Sequence, residues 1–410
     1  MISMVVASKI GTEAVAGTGL ASYLFFILNA LMSIFIVGLL VYCSQAFGAG
    51  REDLVERAVG ESLLLSVLIS TAVILTSHIW LSGYTGVLSG GQQEVSAVAS
   101  AYLSLRILSV PAIMVNSVLS SSYRAVNLPW IPAYSSIFVG ISSAVLIPSL
   151  GLGQLYLPRM GIEGMGLASA ISQYLGLTVY SLFKPPFRLR LKPPSKVLAK
   201  VIAIGVPASI ERVIGSVGQN IYINAVAKSG VAALAAHNIG LSVEGIIINP
   251  VFAINIAASA RVGQRVGSNN VEKLDDLTRE SLKIGLSWMS IATAILLLLS
   301  LFIGRAFTED VSIARLAGMY LVLAAISEIG FGGSLALYGV IRGMGSTWVP
   351  LAVNSFTVIF LRALLAQALQ PVYGIYGVWV TQVTDMYGRF AVSYAIYRKF
   401  KSKLLVKLVA

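Results

Sequence analysis

An internal repeat constrains this chain more than any other feature. The stretch Lys9 to Leu54 returns without a gap at Lys228 to Lys273: adding 219 carries Lys9 to Lys228, Gly11 to Gly230, Ala14 to Ala233, Gln45 to Gln264 and Gly48 to Gly267. Each copy reads as a small Ala-rich turn, a long apolar run and a polar, Gly-containing loop, S-Q-A-F-G-A-G first and G-Q-R-V-G-S-N second. The fold must therefore use one structural unit twice. The correspondence runs on. At an offset of 218, Tyr102 maps to Tyr320, Arg124 to Arg342 and Trp130 to Trp348; at 213, Gly161 maps to Gly374; and Glu61-Ser62-Leu63 maps to Glu280-Ser281-Leu282.

The repeated unit belongs in a membrane. Hydrophobic residues make up 57% of the 410 and charged residues 11%, against roughly 25% charge in a soluble domain, and the mean hydropathy is +0.84. Apolar windows long enough to span a bilayer follow one another along the chain, and a backbone crossing lipid must satisfy its own hydrogen bonds, which leaves helices. We expect helices over about 12–43, 54–81, 96–122, 131–149, 161–183, 200–227, 231–258, 275–303, 312–341, 349–369 and 374–400. The second copy carries a helix before Gly230, whereas only ten residues precede Gly11, so the first copy lacks most of its first helix. A start at an internal Met of a longer frame is the preferred reading, and loss of a helix the other. Six helices per unit give parallel repeats, and hence an all-α polytopic protein of two lobes with a cleft between them.

Basic residues set the orientation. Arg51, Arg57, Arg124, the run from Lys184 to Lys200, Arg261, Arg265, Lys273, Arg279, Arg342 and the tail from Arg398 to Lys407 fall on one side, facing little more than Lys9, Arg159, Lys228 and Arg305 on the other. The basic side is expected to be cytoplasmic, with the C-terminus there, in the cell membrane. The divisions expected are an N-terminal lobe over 1–183, a basic linker over 184–199 stiffened by two Pro pairs, a C-terminal lobe over 200–400 and a basic tail over 401–410. The net charge of +12 is then an orientation signal, since no basic, aromatic-interleaved soluble segment exists to carry nucleic acid. Cys43 stands alone and reads as packing.

Four acids are placed deep in apolar helices of the second copy: Glu211, Glu244, Glu328 and Asp385. Each falls roughly 16 to 24 Å from a helix end, where a carboxylate costs about 2.5–3.5 kcal/mol to insert. With Asn220, Asn224, Asn249 and Asn255 as candidate cavity residues, a midplane cluster of such groups fits a proton or Na⁺. The structural alternative is pairing: Asp385 precedes Arg389 by one turn, and Arg212, Arg362 or Arg106 is available to another acid. Glu61 and Glu280, beside Arg57 and Arg279, read as surface pairs, and His237 as a helix-contact hydrogen bond. Pro111, Pro207 and Pro250 mark kinks. No nucleophile triad, ATP loop or Cys/His metal spacing occurs, so an enzyme reading has no support.

The runs V-A-G-T-G-L-A leading to S-Q-A-F-G-A-G, A-L-A-A-H-N-I-G-L leading to R-V-G-Q-R-V-G, and I-R-G-M-G-S-T-W-V-P resemble the multidrug and toxic compound extrusion (MATE) family, over about Ser3 to Tyr397. The resemblance implies two six-helix lobes in a V, and a monomer that exports amphipathic, often cationic small molecules in exchange for Na⁺ or H⁺, with no other cofactor. Alternatives are a flippase for lipid-linked saccharide of the same superfamily and a non-transporting paralogue. Ser3 stands where family members often bear a first-helix Asp. One branch has a Glu and an Asp that would fall on Gly215 and about Phe331, and Glu211 and Glu328 are each one turn earlier, so the resemblance implies coupling through those two acids.

Overall fold

The computed structural model describes residues 2–183, 185 and 187–409, apart from the side chain of Leu301; Met1, Lys184 of the expected basic run, Pro186 of the first expected Pro pair, and Ala410 lie outside the described residues. The described residues form helices and no strand. In order these are α1 (Ile2–Ile10), α2 (Thr12–Gly48), α3 (Glu52–Leu88), α4 (Gln93–Arg106), α5 (Val110–Ala125), α6 (Trp130–Leu152), α7 (Gly161–Ser181), α8 (Lys196–Lys228), α9 (Val231–Gly267), α10 (Leu274–Phe307), α11 (Val311–Gly343), α12 (Trp348–Phe356), a π-helical stretch Thr357–Leu364, and α13 (Leu365–Leu404). Helix ends follow the repeat: α2 and α9 are both 37 residues long and differ by 219 at each end. A 3-10 turn, Ile107–Ser109, separates α4 from α5 just before Pro111, whereas the corresponding α11 is continuous. Helices α8 and α9 run uninterrupted through Pro207 and Pro250.

Among the described residues eight spans are long and apolar enough to cross a membrane. Eleven helices were expected. The difference arises because Trp348–Leu404 counts once where two helices were expected, and α7 and α8 are not among the eight. Within α13 the helix breaks at Gly374, with φ 57°, and α7 opens on Gly161, with φ 59°. Both occupy one repeat position, and only glycine adopts that left-handed region without strain.

The chain divides into two compact units: residues 1–39 with 52–202, and residues 40–51 with 203–410. In the first, α7 packs on α4 and α6, and the Ser135 hydroxyl donates to Gly176 O across the α6–α7 contact at 2.8 Å. The N-terminal end of α3 is tied to the linker. Glu61, fully buried, accepts from Ser195 N (3.1 Å), Ser195 Oγ (2.5 Å), Leu198 N (2.9 Å) and Arg57 Nε (2.8 Å). The expected surface pair is therefore a buried clasp: the carboxylate caps the first turn of α8, whose amides have no helical partner of their own.

In the second unit α11 is the central helix, packed by α9, α10 and α13. Its buried side runs from Ala314 to Gly343 with many small residues, which lets neighbouring backbones approach closely, the usual source of attraction between helices in lipid. Asp310 caps its start by accepting from Ser312 N (2.8 Å) and Ile313 N (3.2 Å). Bonding to the Ser312 side chain and to these amides holds its carboxyl below the usual carboxylate range. The two repeated loops meet here reciprocally: a Cβ on Gly48 would strike Gln264 O, and one on Gly267 would strike Gln45 O. The Gln45 side chain also donates to Gly343 O and Val406 O, each at 3.2 Å, and accepts from Leu408 N at 3.0 Å, fastening the C-terminal segment.

Candidate functional site

The second unit encloses four carboxyls and three guanidiniums. Glu211, Glu244, Glu328, Asp385, Arg362 and Arg389 are buried, and the Arg342 side chain is only 15% exposed. Desolvated charges of this kind persist only when paired or hydrogen-bonded, so their partners decide what each one does.

Two acids are committed to cations. Arg342 Nη2 donates to Glu211 Oε2 at 2.6 Å, joining α11 to α8, and its Nη1 reaches Asn255 Oδ1 at 3.4 Å. Asn255 donates in turn to Leu335 O at 2.7 Å. On α13, Arg389 Nη2 contacts both oxygens of Asp385, at 2.9 and 2.8 Å, the one-turn pairing that the spacing allows.

The remaining groups are joined by hydrogen bonds, and neither Glu244 nor Glu328 has an ion pair among the described residues. Glu244 Oε1 accepts from the Tyr320 hydroxyl (2.8 Å) and from Gln382 Nε2 (3.0 Å). Gln382 Oε1 accepts from Arg362 Nη2 at 3.0 Å, and its Nε2 lies 3.4 Å from Ser327 Oγ, next to Glu328 in sequence. Arg362 arrives from the π-helical stretch, a geometry that inserts an extra residue into a turn and is common at functional positions. Its guanidinium lies 4.6 Å over the Tyr222 ring and 3.9 Å from Asp385, which Arg389 already holds. Glu328 is 2% exposed and its Oε2 has no hydrogen-bond partner. Four carboxyls thus face three guanidiniums, and the surplus acid lies on the Glu244–Glu328 side.

The structure brings Glu244, Glu328 and Asp385 into one connected region and places Glu211 with Arg342 and Asn255 beside it. Asn220, Asn224 and Asn249 are exposed and join neither group; Asn249 bonds back to Gly245 O, and Asn224 accepts from Gln367 at 3.3 Å. Arg106 serves no acid either, donating to Tyr102 OH at 2.8 Å and covering the Phe25 ring. His237 is fully buried but makes ring contacts with Tyr222 and Tyr320 instead of the expected hydrogen bond. The sequence reading passed over Tyr320, Gln382, Ser327 and Tyr222 as site residues. Tyr320 was signalled only as the repeat mate of Tyr102, and Gln382 only by standing a turn before Asp385. Among the described residues no three His, Cys, Asp or Glu side chains gather to hold a metal ion.

The MatE family model matches residues 1–148 and 207–367. The chain is 24% identical over 383 residues to a probable multidrug resistance protein NorM of Thermotoga maritima, covering 91% of this chain and 82% of the relative. It is 24% identical to a probable multidrug resistance protein YoeA of Bacillus subtilis, over 99% of this chain and 90% of that one. Among solved structures, an outward-facing multidrug resistance transporter of the MATE family superposes with a TM-score of 0.90 at 19% identity, over 98% of this chain and 91% of that chain.

Proposed function

Because the chain belongs to the MatE family, we propose that it is a membrane exporter of amphipathic, cationic small molecules that exchanges them for Na⁺ or H⁺ at the surplus acid of its second unit. The imbalance of four buried carboxyls against three guanidiniums carries this reading. An unbalanced buried acid is costly in lipid. A proton or a monovalent cation relieves it, and a cationic substrate competes for the same charge, which is the thermodynamic requirement for exchange. Glu328 is the exchanging group, and its companion acid Glu244 is held by the fixed dipoles of Tyr320 and Gln382. Glu211 and Asp385 are held by Arg342 and Arg389 and keep the local structure. The names of the relatives, multidrug resistance proteins, support the substrate class.

Vesicles reconstituted with the full chain and offered a fluorescent cationic dye test the proposal. Dye movement driven by an imposed Na⁺ or pH gradient is expected. Lipid-linked saccharide crossing the bilayer with no gradient-driven dye movement would overturn it in favour of a flippase.

A further inference from the structure

The repeat pairs Glu61 with Glu280, yet the two acids have opposite surroundings. Glu61 is buried beneath four donors supplied by the linker and Arg57. Glu280 is exposed, and neither its neighbours Arg279 and Lys283 nor any other described residue bonds to it. Over it lies an open crease of about 490 Å³ between α9 and α10, lined by Ala257, Leu277, Ile284, Ser281, Arg261 and Glu280 itself. The C-terminal segment, which follows the second unit as the linker follows the first, does not fill it, being fastened to Met344 O and Gln45 instead.

We propose that this crease binds the headgroup of a zwitterionic aminophospholipid, its ammonium on Glu280, its phosphate on Arg261 and the start of an acyl chain along Leu277 and Ile284. Charge and depth select this occupant. Arg261 lies six residues before the end of α9 at Gly267, and Glu280 six after the start of α10 at Leu274, so both sit about 9 Å from their helix ends. A 37-residue helix is about 55 Å long and overhangs a hydrocarbon layer of about 30 Å by about 12 Å at each end. The two charges therefore lie at headgroup level, with the apolar walls running toward the acyl chains. Arg261, like Glu280, has no partner among the described residues. A primary ammonium supplies to Glu280 the N–H donors that the linker supplies to Glu61, whereas a choline headgroup has none.

Native mass spectrometry of the detergent-purified full chain, incubated with equal amounts of phosphatidylethanolamine, phosphatidylcholine and phosphatidylglycerol, tests this. One phosphatidylethanolamine is expected to be retained about two- to fivefold over phosphatidylcholine, the range an exposed charge pair supplies. Glu280→Gln should abolish that preference, Arg261→Gln should lower retention of all three lipids, and the exchange Arg261→Glu with Glu280→Arg should restore part of it. Both side chains are exposed, so unchanged thermal midpoints verify folding of the variants. Equal retention of ethanolamine and choline lipids, a preference for phosphatidylglycerol, or an unaffected Glu280→Gln variant would each overturn the assignment.

Discussion

Removing the charge of Asp385 by Asp385→Asn tests which buried acids hold the second unit together. The carboxylate is fully buried, meets Arg389 at 2.9 and 2.8 Å, and lies 3.9 Å from Arg362. At an effective dielectric of about 20 these two attractions are worth about 6 and 4 kcal/mol before desolvation is subtracted. The variant leaves two buried guanidiniums without that counter-charge, and loss of one member of a buried pair costs about 3–5 kcal/mol net. Glu328→Gln removes a carboxyl that touches no guanidinium and already has an unpartnered oxygen, so its cost should stay within about 1 kcal/mol. The assay is equilibrium unfolding of the purified chain in mixed micelles, with Asp385→Leu/Arg389→Met as a control that removes both charges and should recover most of the loss. An Asp385→Asn variant as stable as the wild type, or a Glu328→Gln variant equally destabilised, would refute the division into structural and exchanging acids.

Other outcomes follow from named contacts. Glu61→Ala strips the acceptor from Ser195 N and Leu198 N and should cost about 2–3 kcal/mol, with faster hydrogen exchange at Leu198; Glu61→Gln should cost less because one acceptor oxygen remains. Gly267→Ala drives a methyl into Gln45 O and should lower stability by about 1–3 kcal/mol, as should Gly48→Ala against Gln264 O, both read by thermal unfolding. Glu211→Gln breaks the 2.6 Å contact with Arg342, so stability should fall while the cation dependence of export keeps its midpoint; a shifted midpoint would place Glu211 in the exchange.

Much of this was legible in the sequence because it rests on local rules. The repeat matched the starts of α2, α9 and α7, with Gly161 and Gly374 standing where the backbone needs a left-handed φ, although α2 and α9 run on to Gly48 and Gly267 past the expected 43 and 258; the Asp385–Arg389 pair follows from one-turn spacing. The rest depends on tertiary placement. The partner of Glu211, Arg342, is 131 residues away, the donors to Glu61 are 134 and 137 away, and no periodicity reports such distances. Glu61 and Glu280 share the tripeptide Glu-Ser-Leu but not what lies over them, so one acid is clasped by the linker and the other stays exposed. The π-helical stretch that turns Arg362 inward has no compositional mark distinguishing it from the α-helix around it.

The central claim is that one unbalanced carboxyl, Glu328, carries the exchanged cation. Counting protons and Na⁺ bound per chain as substrate dissociates, by pH-stat and isotope binding on wild-type and Glu328→Gln protein, tests it most directly. One cation taken up by the wild type and none by Glu328→Gln is the predicted result; equal uptake by the two would contradict it.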